Sequence, residues 1–161
     1  MDSSSFTIWM TGLPCSGKST ISLILKDALH ARNHRHVEIF DGDEVRKNLS
    51  ADMGFSKKDR DTHILRVGFL NHLLNRDGVL TIAAVSSPYR GLRDQVREGI
   101  DKFVEVYVKC PVEACAERDV KGMYAKAFKG EIQNFTGVSD PYEEPLNPEL
   151  VVETDKETPE E

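Results

Sequence analysis

Residues 12–19 read Gly-Leu-Pro-Cys-Ser-Gly-Lys-Ser, which fits the G-x-x-x-x-G-K-[ST] pattern of a phosphate-binding loop. An apolar run from Phe6 to Met10 precedes the loop, and a helical pattern begins at Ser19. This order matters because glycines let backbone N–H groups face phosphates, and the N-terminus of the following helix adds partial positive charge. A chance match in a glycine-containing turn is the alternative, and the correct flanks on both sides argue against it. The sequence therefore predicts a nucleoside triphosphate site.

Lys18 and Ser19 carry the chemistry of this loop. A lysine at this position reaches the β- and γ-phosphates of ATP, and the hydroxyl group after it ligates Mg²⁺. Cys15 lies inside the loop, so thiol reagents are expected to disturb nucleotide binding; the alternative is that Cys15 is a small neutral filler. The loop does not by itself separate kinases from other nucleotide-binding classes, but the chain has no Asn-Lys-x-Asp motif, which argues against a GTPase.

A second polar cluster, Asp41-Gly42-Asp43, follows the second apolar run, and Arg46 is expected in the first turn of a short helix after it. Two carboxylates at a strand end that faces the phosphate loop can hold Mg²⁺ or accept a proton from a substrate hydroxyl. A plain Asp-Gly turn with Asp43 as the helix cap is the alternative. The cluster alone does not decide between these interpretations.

Several arginines follow predicted strand ends, although the net charge of the chain is −6. Arginines that converge beside a phosphate loop indicate recognition of a second anion, whereas each one taken singly is typical of a solvated helix surface. Phe55 and Phe135 lie in polar, glycine-containing loops. Such a pair can sandwich a flat base, and a single loop aromatic can equally fill the core. The arginines are Arg46, Arg60, Arg66 and Arg90.

These residues need a scaffold that brings strand ends together. Apolar runs that favour β-structure span His36 to Phe40, Val79 to Val85 and Phe103 to Val108, and the longest amphipathic segment predicts a helix from about Lys57 to Arg76. The alternation predicts a doubly wound α/β domain with a mostly parallel sheet, helices on both faces, and ligands at the carboxyl ends of the strands. Further helices are predicted from Ser19 to Leu29, Tyr89 to Ile100 and Pro111 to Arg118.

The segment from Asp119 to Asp140 is too long for an ordinary connection and is rich in Lys, Gly and Phe. We interpret it as an irregular lid, because long loops in compact domains are usually functional or disordered. The acidic tail from Glu153 to Glu161 ends in residues typical of a helix start, so we expect a C-terminal helix beyond Glu161. We interpret residues 1–161 as one domain.

The composition argues against several classes of protein. A net charge of −6 disfavours nucleic-acid binding through a general basic surface. No apolar stretch reaches membrane-spanning length, and the N-terminal residues Met1 to Ser5 lack the basic and apolar regions of a signal peptide. The cysteines number three, without metal-ligand spacing, which indicates reduced thiols. We expect a cytoplasmic protein without nucleic-acid or membrane partners.

Together these motifs resemble the adenylylsulfate kinases, which use MgATP to phosphorylate the 3′-hydroxyl of adenosine 5′-phosphosulfate (APS). The product is 3′-phosphoadenosine 5′-phosphosulfate (PAPS), an intermediate of sulfate assimilation. The resemblance implies the fold of a P-loop kinase, a homodimer, and a possible association or fusion with ATP sulfurylase. Its motifs are the phosphate loop, Asp41-Gly-Asp-Glu-Val-Arg46, Gly54-Phe-Ser-Lys-Lys-Asp-Arg60, Ser87-Pro-Tyr-Arg90, Glu117-Arg-Asp-Val-Lys-Gly-Met-Tyr124, Asn134-Phe-Thr-Gly137 and Asp140-Pro-Tyr-Glu-Glu-Pro145.

The resemblance implies roles on the nucleotide side. Arg118 would lie over the adenine of ATP, and Mg²⁺ would be held by Ser19 and Asp41. Lys121 would reach from the lid to the transferring phosphate. The residues implied to bind the nucleotide are Gly12, Cys15, Ser16, Gly17, Lys18, Ser19, Thr20 and Arg118.

On the acceptor side, the resemblance implies that Asp43 is the base or orienting group for the 3′-hydroxyl and that Ser87 positions the substrate. Arg46 and Arg60 would bind the phosphosulfate. The residues implied to be catalytic are Lys18, Asp43, Ser87 and Lys121. Those implied to bind APS are Asp41, Arg46, Phe55, Arg60, His63, Ser87, Pro88, Lys121, Phe135 and Gly137.

His63 is the main departure from the family pattern, which has asparagine at this position. An imidazole replaces one hydrogen bond of an amide but not its donor–acceptor pair, so His63 could mark an altered acceptor. A kinase for a different nucleotide-like anion is therefore one alternative, and a non-catalytic binding module is another. Arg46, Phe55, Arg60 and Phe135 argue against the first alternative, and Lys18 with Asp43 argues against the second.

Overall fold

One parallel sheet organises the part of the chain that the structure describes, residues 5–161 of a computed structural model. Residues 1–4, where the signal-peptide pattern was sought, lie outside it. The strands follow the order β2-β3-β1-β4-β5, and every neighbouring pair is parallel, so the carboxyl ends share one edge. The strands are β1 Thr7–Thr11, β2 Val37–Asp41, β3 Leu80–Ala84, β4 Phe103–Lys109 and β5 Leu150–Glu153.

Helices cover both faces of this sheet. On one face, Ile8 and Met10 of β1 pack with Leu29 of the first helix; on the other, Trp9 packs with Val67 and other residues of the third and fourth helices. Because β1 lies in the middle of the sheet, all of its residues are buried. The predicted doubly wound fold is confirmed. The helices are α1 Lys18–Ala31, α2 Gly42–Leu49, α3 Lys57–Arg76, α4 Arg90–Glu98, α5 Val112–Arg118 and α6 Met123–Phe128.

Two local predictions were wrong, and one strand was missed. The segment 119–140 is not irregular throughout, since α6 forms within it. Arg46 lies in the last turn of α2 rather than the first, because the helix begins directly at the strand end with Asp41 as its cap. The edge strand β5 was not predicted: its four residues pair only with β4 and are half exposed, so no period-2 pattern marks them.

Beyond β5, residues 154–161 form turns and irregular structure, and the helix expected after Glu161 stays a prediction. Within residues 5–161, no helix has the length and apolar character needed to cross a membrane.

Candidate active site

The phosphate loop connects β1 to α1 at the carboxyl edge of the sheet. A Cβ atom on Gly12 would lie 2.4 Å from the carbonyl oxygen of Val108 in β4, so only glycine allows the loop this close to the sheet. Gly17 caps α1 in the left-handed region at φ 106°, and Ser19 and Thr20 are exposed in the first turn of the helix. The sequence motif and the local backbone therefore agree.

Lys18 lies inside this loop. Its ammonium group donates hydrogen bonds to the Gly12 carbonyl at 2.9 Å, the Leu13 carbonyl at 2.7 Å and the Ser16 hydroxyl at 3.3 Å. Burial lowers the pKa of Lys18 to about 8, against the opposing effect of neighbouring thiol and carboxyl groups. Three oxygens of the loop thus hold the ammonium group of Lys18. In this motif the lysine ammonium group is the one that contacts the phosphates of the nucleotide.

The Asp41-Gly42-Asp43 cluster touches both α1 and the lid. The Ser19 hydroxyl donates a hydrogen bond to Asp41 Oδ2, and the Asp43 amide donates to Asp41 Oδ1 at 3.0 Å. The Asp43 carboxylate forms an ion pair with Lys121 of the lid, and this hydrogen bond raises the pKa of Lys121. The structure therefore brings together the predicted metal ligands, the predicted base and the predicted lid lysine.

The contacting oxygens of Ser19 and Asp41 fit a hard cation such as Mg²⁺. Among the described residues, no group of three or more His, Cys, Asp or Glu side chains could enclose a metal ion. A magnesium ion here would complete its coordination with phosphate oxygens and water, as is usual for Mg²⁺ in kinases.

Arg46 and Arg60 lie together on the acceptor side. The Arg46 guanidinium donates to the Gly54 carbonyl at 2.9 Å and stacks over the Phe55 ring at 4.7 Å from its centroid. Arg60 donates to the Phe55 carbonyl at 2.8 Å and to the Thr136 hydroxyl. Burial, followed by the charge of Arg60, lowers the pKa of Arg46. Two guanidinium groups thus share one short segment, which suits a doubly charged anion.

Phe55 and Phe135 differ in exposure. The Phe55 ring is 53% exposed, whereas Phe135 is 7% exposed and packs edge-on against Tyr124 at 4.9 Å between ring centroids. Gly137 lies in the same turn, where a Cβ atom would come within 2.7 Å of Leu13 in the phosphate loop. The turn around residues 135–140 therefore lies between the phosphate loop and Arg60, and stacking by Phe135 stays a prediction.

Arg118 supports the phosphate loop from the side of β5. It donates hydrogen bonds to the Cys15 and Ser16 carbonyls, both at 3.3 Å, and to the Thr154 carbonyl at 2.6 Å. Thr154 in turn donates to the Ser16 carbonyl at 2.7 Å. Sequence reasoning missed Thr154, because only the unpredicted strand β5 places it beside the loop.

Ser87 lies beneath the site and is 1% exposed. Its hydroxyl accepts a hydrogen bond from the Trp9 indole at 3.1 Å, and its carbonyl accepts one from Arg93 at 2.6 Å. Pro88 follows it, and the Pro88 carbonyl accepts from the Glu143 amide at 2.8 Å. These contacts make the segment a buried support, and a catalytic role for Ser87 stays a prediction.

Arg93, which sequence reasoning did not single out, is 1% exposed and forms an ion pair with Glu105 at 3.0 Å. It also donates to the Glu143 carbonyl at 2.6 Å, so it ties α4 and β4 to the segment that follows the lid. A lone arginine in a charge-rich helix carries no sequence signal that it is buried.

A family model described as adenylylsulphate kinase matches residues 4–153. The chain belongs to the adenylylsulphate kinase family. An adenylyl-sulfate kinase of Rippkaea orientalis is 54% identical over 96% of this chain and 85% of its own length. Membership of the family makes the chain an ATP-binding kinase with a P-loop.

Two further comparisons bear on this family member. The solved structure of the APS kinase of Mycobacterium tuberculosis in complex with AMPPNP and APS has a TM-score of 0.91 and 37% identity, covering 97% of this chain and 91% of that one. A probable bifunctional SAT/APS kinase of Sorangium cellulosum is 53% identical over 98% of this chain, which spans only 27% of that relative. The matched region thus makes up most of the Rippkaea orientalis relative and about a quarter of the Sorangium cellulosum relative.

Proposed function

We propose that this chain transfers the γ-phosphate of ATP to the 3′-hydroxyl of APS, giving PAPS and ADP. The observation that carries the proposal is the contact of Asp43 with Lys121 next to the Ser19–Asp41 pair, at the mouth of the phosphate loop. This contact supports the proposal, because phosphoryl transfer uses a carboxylate near the acceptor hydroxyl and a cation near the transferring phosphate.

The loop amides and Lys18 bind the phosphates of ATP, and Ser19 with Asp41 would hold Mg²⁺, which neutralises phosphate charge when bound. Asp43 orients the acceptor hydroxyl and accepts its proton as the oxygen attacks the γ-phosphorus; the bond to the β-phosphate oxygen breaks and ADP leaves. The ammonium group of Lys121 leaves Asp43 and binds the transferring phosphate, whose negative charge it stabilises. Phosphoryl transfer depends mainly on such alignment and charge neutralisation.

On the acceptor side, Arg46 and Arg60 bind the phosphosulfate, because their guanidinium groups converge at the segment that carries Phe55. The exposed Phe55 ring offers a surface for the adenine. Phe135, Pro88 and Gly137 complete the proposed acceptor site. Because Phe135 is 7% exposed, stacking on the adenine requires more of its ring to become accessible.

We also propose a homodimer in the cytoplasm. The bifunctional relative from Sorangium cellulosum supports the further proposal that ATP sulfurylase is an associated or fused partner. Size-exclusion chromatography with light scattering tests the dimer, and a mass corresponding to one chain would refute it.

The test of the activity is product formation by the purified chain with MgATP and APS, resolved chromatographically. We expect PAPS and ADP in equal amounts, and no PAPS in a control without APS. Adenosine 5′-monophosphate is the matched acceptor control, since it has the same 3′-hydroxyl but lacks the sulfate that the arginine pair would bind. Binding of ATP without formation of PAPS would refute the proposal.

A further inference from the structure

His63 makes a buried hydrogen bond that its sequence position did not predict. Its Nδ1 atom lies 2.9 Å from the hydroxyl oxygen of Ser50, which caps the C-terminus of α2. His63 is 4% exposed and Ser50 is fully buried. A group so enclosed has little surface left for a ligand, so the contact of His63 with its own chain is the interaction to explain.

A second contact holds the same end of α2. Arg66, one turn further along α3, donates to the Leu49 carbonyl at 2.8 Å and to both carboxylate oxygens of Asp52, at 2.9 and 3.2 Å. Asp52 is 61% exposed, and exposed ion pairs contribute little. Breaking the buried contact instead leaves a polar group unsatisfied, which is the costlier loss. The hydrogen bond between His63 and Ser50 is therefore the buried restraint on this end of α2, and the ion pair between Arg66 and Asp52 is the exposed one.

The segment that begins at Ser50 ends in the residues that fix both arginines of the acceptor side. Its Gly54 carbonyl accepts from Arg46, and its Phe55 carbonyl accepts from Arg60. The Phe55 ring also lies under the Arg46 guanidinium. A shift of residues 50–56 would thus displace two guanidinium groups and one aromatic ring together.

His63 suits this place because it is neutral. Burial, together with the charges of Arg46 and Arg66, lowers its pKa to about 4. A neutral imidazole bonds to a hydroxyl group without adding a third cation between two arginines.

We infer that His63 is a positioning residue, which acts through Ser50 on residues 50–56 and does not itself touch the acceptor. The inference rests on the proposed function, since the acceptor in question is APS. It differs from the role implied by the family resemblance, in which the residue at this position contacts APS directly.

A double-mutant cycle of Ser50→Ala and His63→Ala tests the inference, with KM for APS, KM for ATP and kcat measured for each variant. We expect each single variant to raise KM for APS about 5- to 10-fold, and the double variant to raise it no further, because both changes break one hydrogen bond. KM for ATP and kcat should stay within about two-fold of the wild-type values. His72→Ala, on the same helix, is the matched control.

Ser50→Ala removes a single hydroxyl group and keeps the test decisive if His63→Ala does not fold. A raised KM in His63→Ala with an unchanged KM in Ser50→Ala would mean that His63 contacts APS, and would overturn the inference. A rise in both KM values together with a fall in kcat and a lower free energy of unfolding would indicate a merely structural role. That result would overturn the inference as well. Wild-type protein that forms no PAPS would instead refute the proposed function, and the inference with it.

Discussion

Lys121 of the lid and Asp43 at the start of α2 form an ion pair, although 78 residues separate them along the chain. Their side chains are 60% and 66% exposed. An exposed pair of this kind contributes little to stability, so it opens at low cost. Lys121 can therefore leave Asp43 for a phosphate group, and Asp43 becomes free to accept a proton.

Replacing Lys121 with methionine should lower kcat about 100- to 1,000-fold, the usual loss when one preorganised donor to a transition state is removed. The measurement is steady-state PAPS formation at saturating ATP and APS. Lys126→Met is the matched control, since Lys126 is an exposed lysine of the same lid and is expected to tolerate the change. A kcat within two-fold of the wild-type value would show that Lys121 does not reach the transferring phosphate.

Asp43→Asn keeps the size and polarity of the side chain but removes its charge. We expect kcat to fall far more than ATP affinity, because Asp43 acts on the acceptor hydroxyl rather than on the nucleotide. Isothermal calorimetry of ATP binding, alongside the kinetic assay, separates the two effects. If ATP affinity collapses instead, Asp43 is a metal or nucleotide ligand.

Lys18→Ala should abolish detectable PAPS formation while leaving the fold intact, because within residues 5–161 the ammonium group donates its hydrogen bonds to oxygens of the phosphate loop. Circular dichroism and urea unfolding report on the fold. Lys26→Ala, on the same helix, should retain activity. Near-normal activity of Lys18→Ala would remove the phosphate loop from the mechanism.

Arg93→Ala should lower the free energy of unfolding by about 3–5 kcal/mol, since it leaves the largely buried Glu105 carboxylate without this partner. Urea unfolding monitored by tryptophan fluorescence measures the change. Arg76→Ala, at the exposed C-terminal end of α3, should change stability by less than about 0.5 kcal/mol. Equal effects of the two substitutions would contradict the buried ion pair.

His63 predicts a pH dependence of stability. Its pKa is lowered from 6.5 to about 4 by burial and by the charges of Arg46 and Arg66. Between these pH values the unfolded chain binds a proton at His63 that the folded protein does not bind. The contribution of neutral His63 to the free energy of unfolding is therefore present above pH 6.5 and is lost as the pH falls towards 4. The expected loss at pH 5 is about 2 kcal/mol.

The free energy of unfolding of wild-type protein and of His63→Gln, each measured at pH 7 and pH 5, checks this expectation. Carboxylates titrate similarly in both proteins, so their difference isolates His63. A wild-type protein that loses no more stability than His63→Gln would contradict a buried, neutral imidazole.

Much of the nucleotide side could be predicted because its residues are neighbours in sequence. The phosphate loop is one continuous segment between a strand and a helix, so its backbone geometry is local, and Lys18 lies within it as the motif requires. The helix from Lys57 to Arg76 was likewise predicted with its observed bounds, because its apolar positions from Ile64 to Leu74 repeat at helical spacing over about three turns.

The acceptor side could be predicted only in part, because its contacts join distant segments. Thr136 bonds to Arg60 across 76 residues. One contact of the nucleotide side is equally distant in sequence, since Thr154 reaches Ser16 across 138 residues. No local pattern marks such partners. The interaction of Ser50 with His63 was missed for the same reason, since burial and distance are properties of the packed helices α2 and α3.

The sequence by itself determined the family, the parallel α/β class and the identity of the phosphate-binding groups, since motif spacing and periodicity act over a few residues. The tertiary structure alone decided which side chains meet: Lys121 with Asp43, Arg93 with Glu105, and His63 with Ser50. It also decided the charge state of the imidazole, because desolvation and the arginines around it exist only when the helices pack.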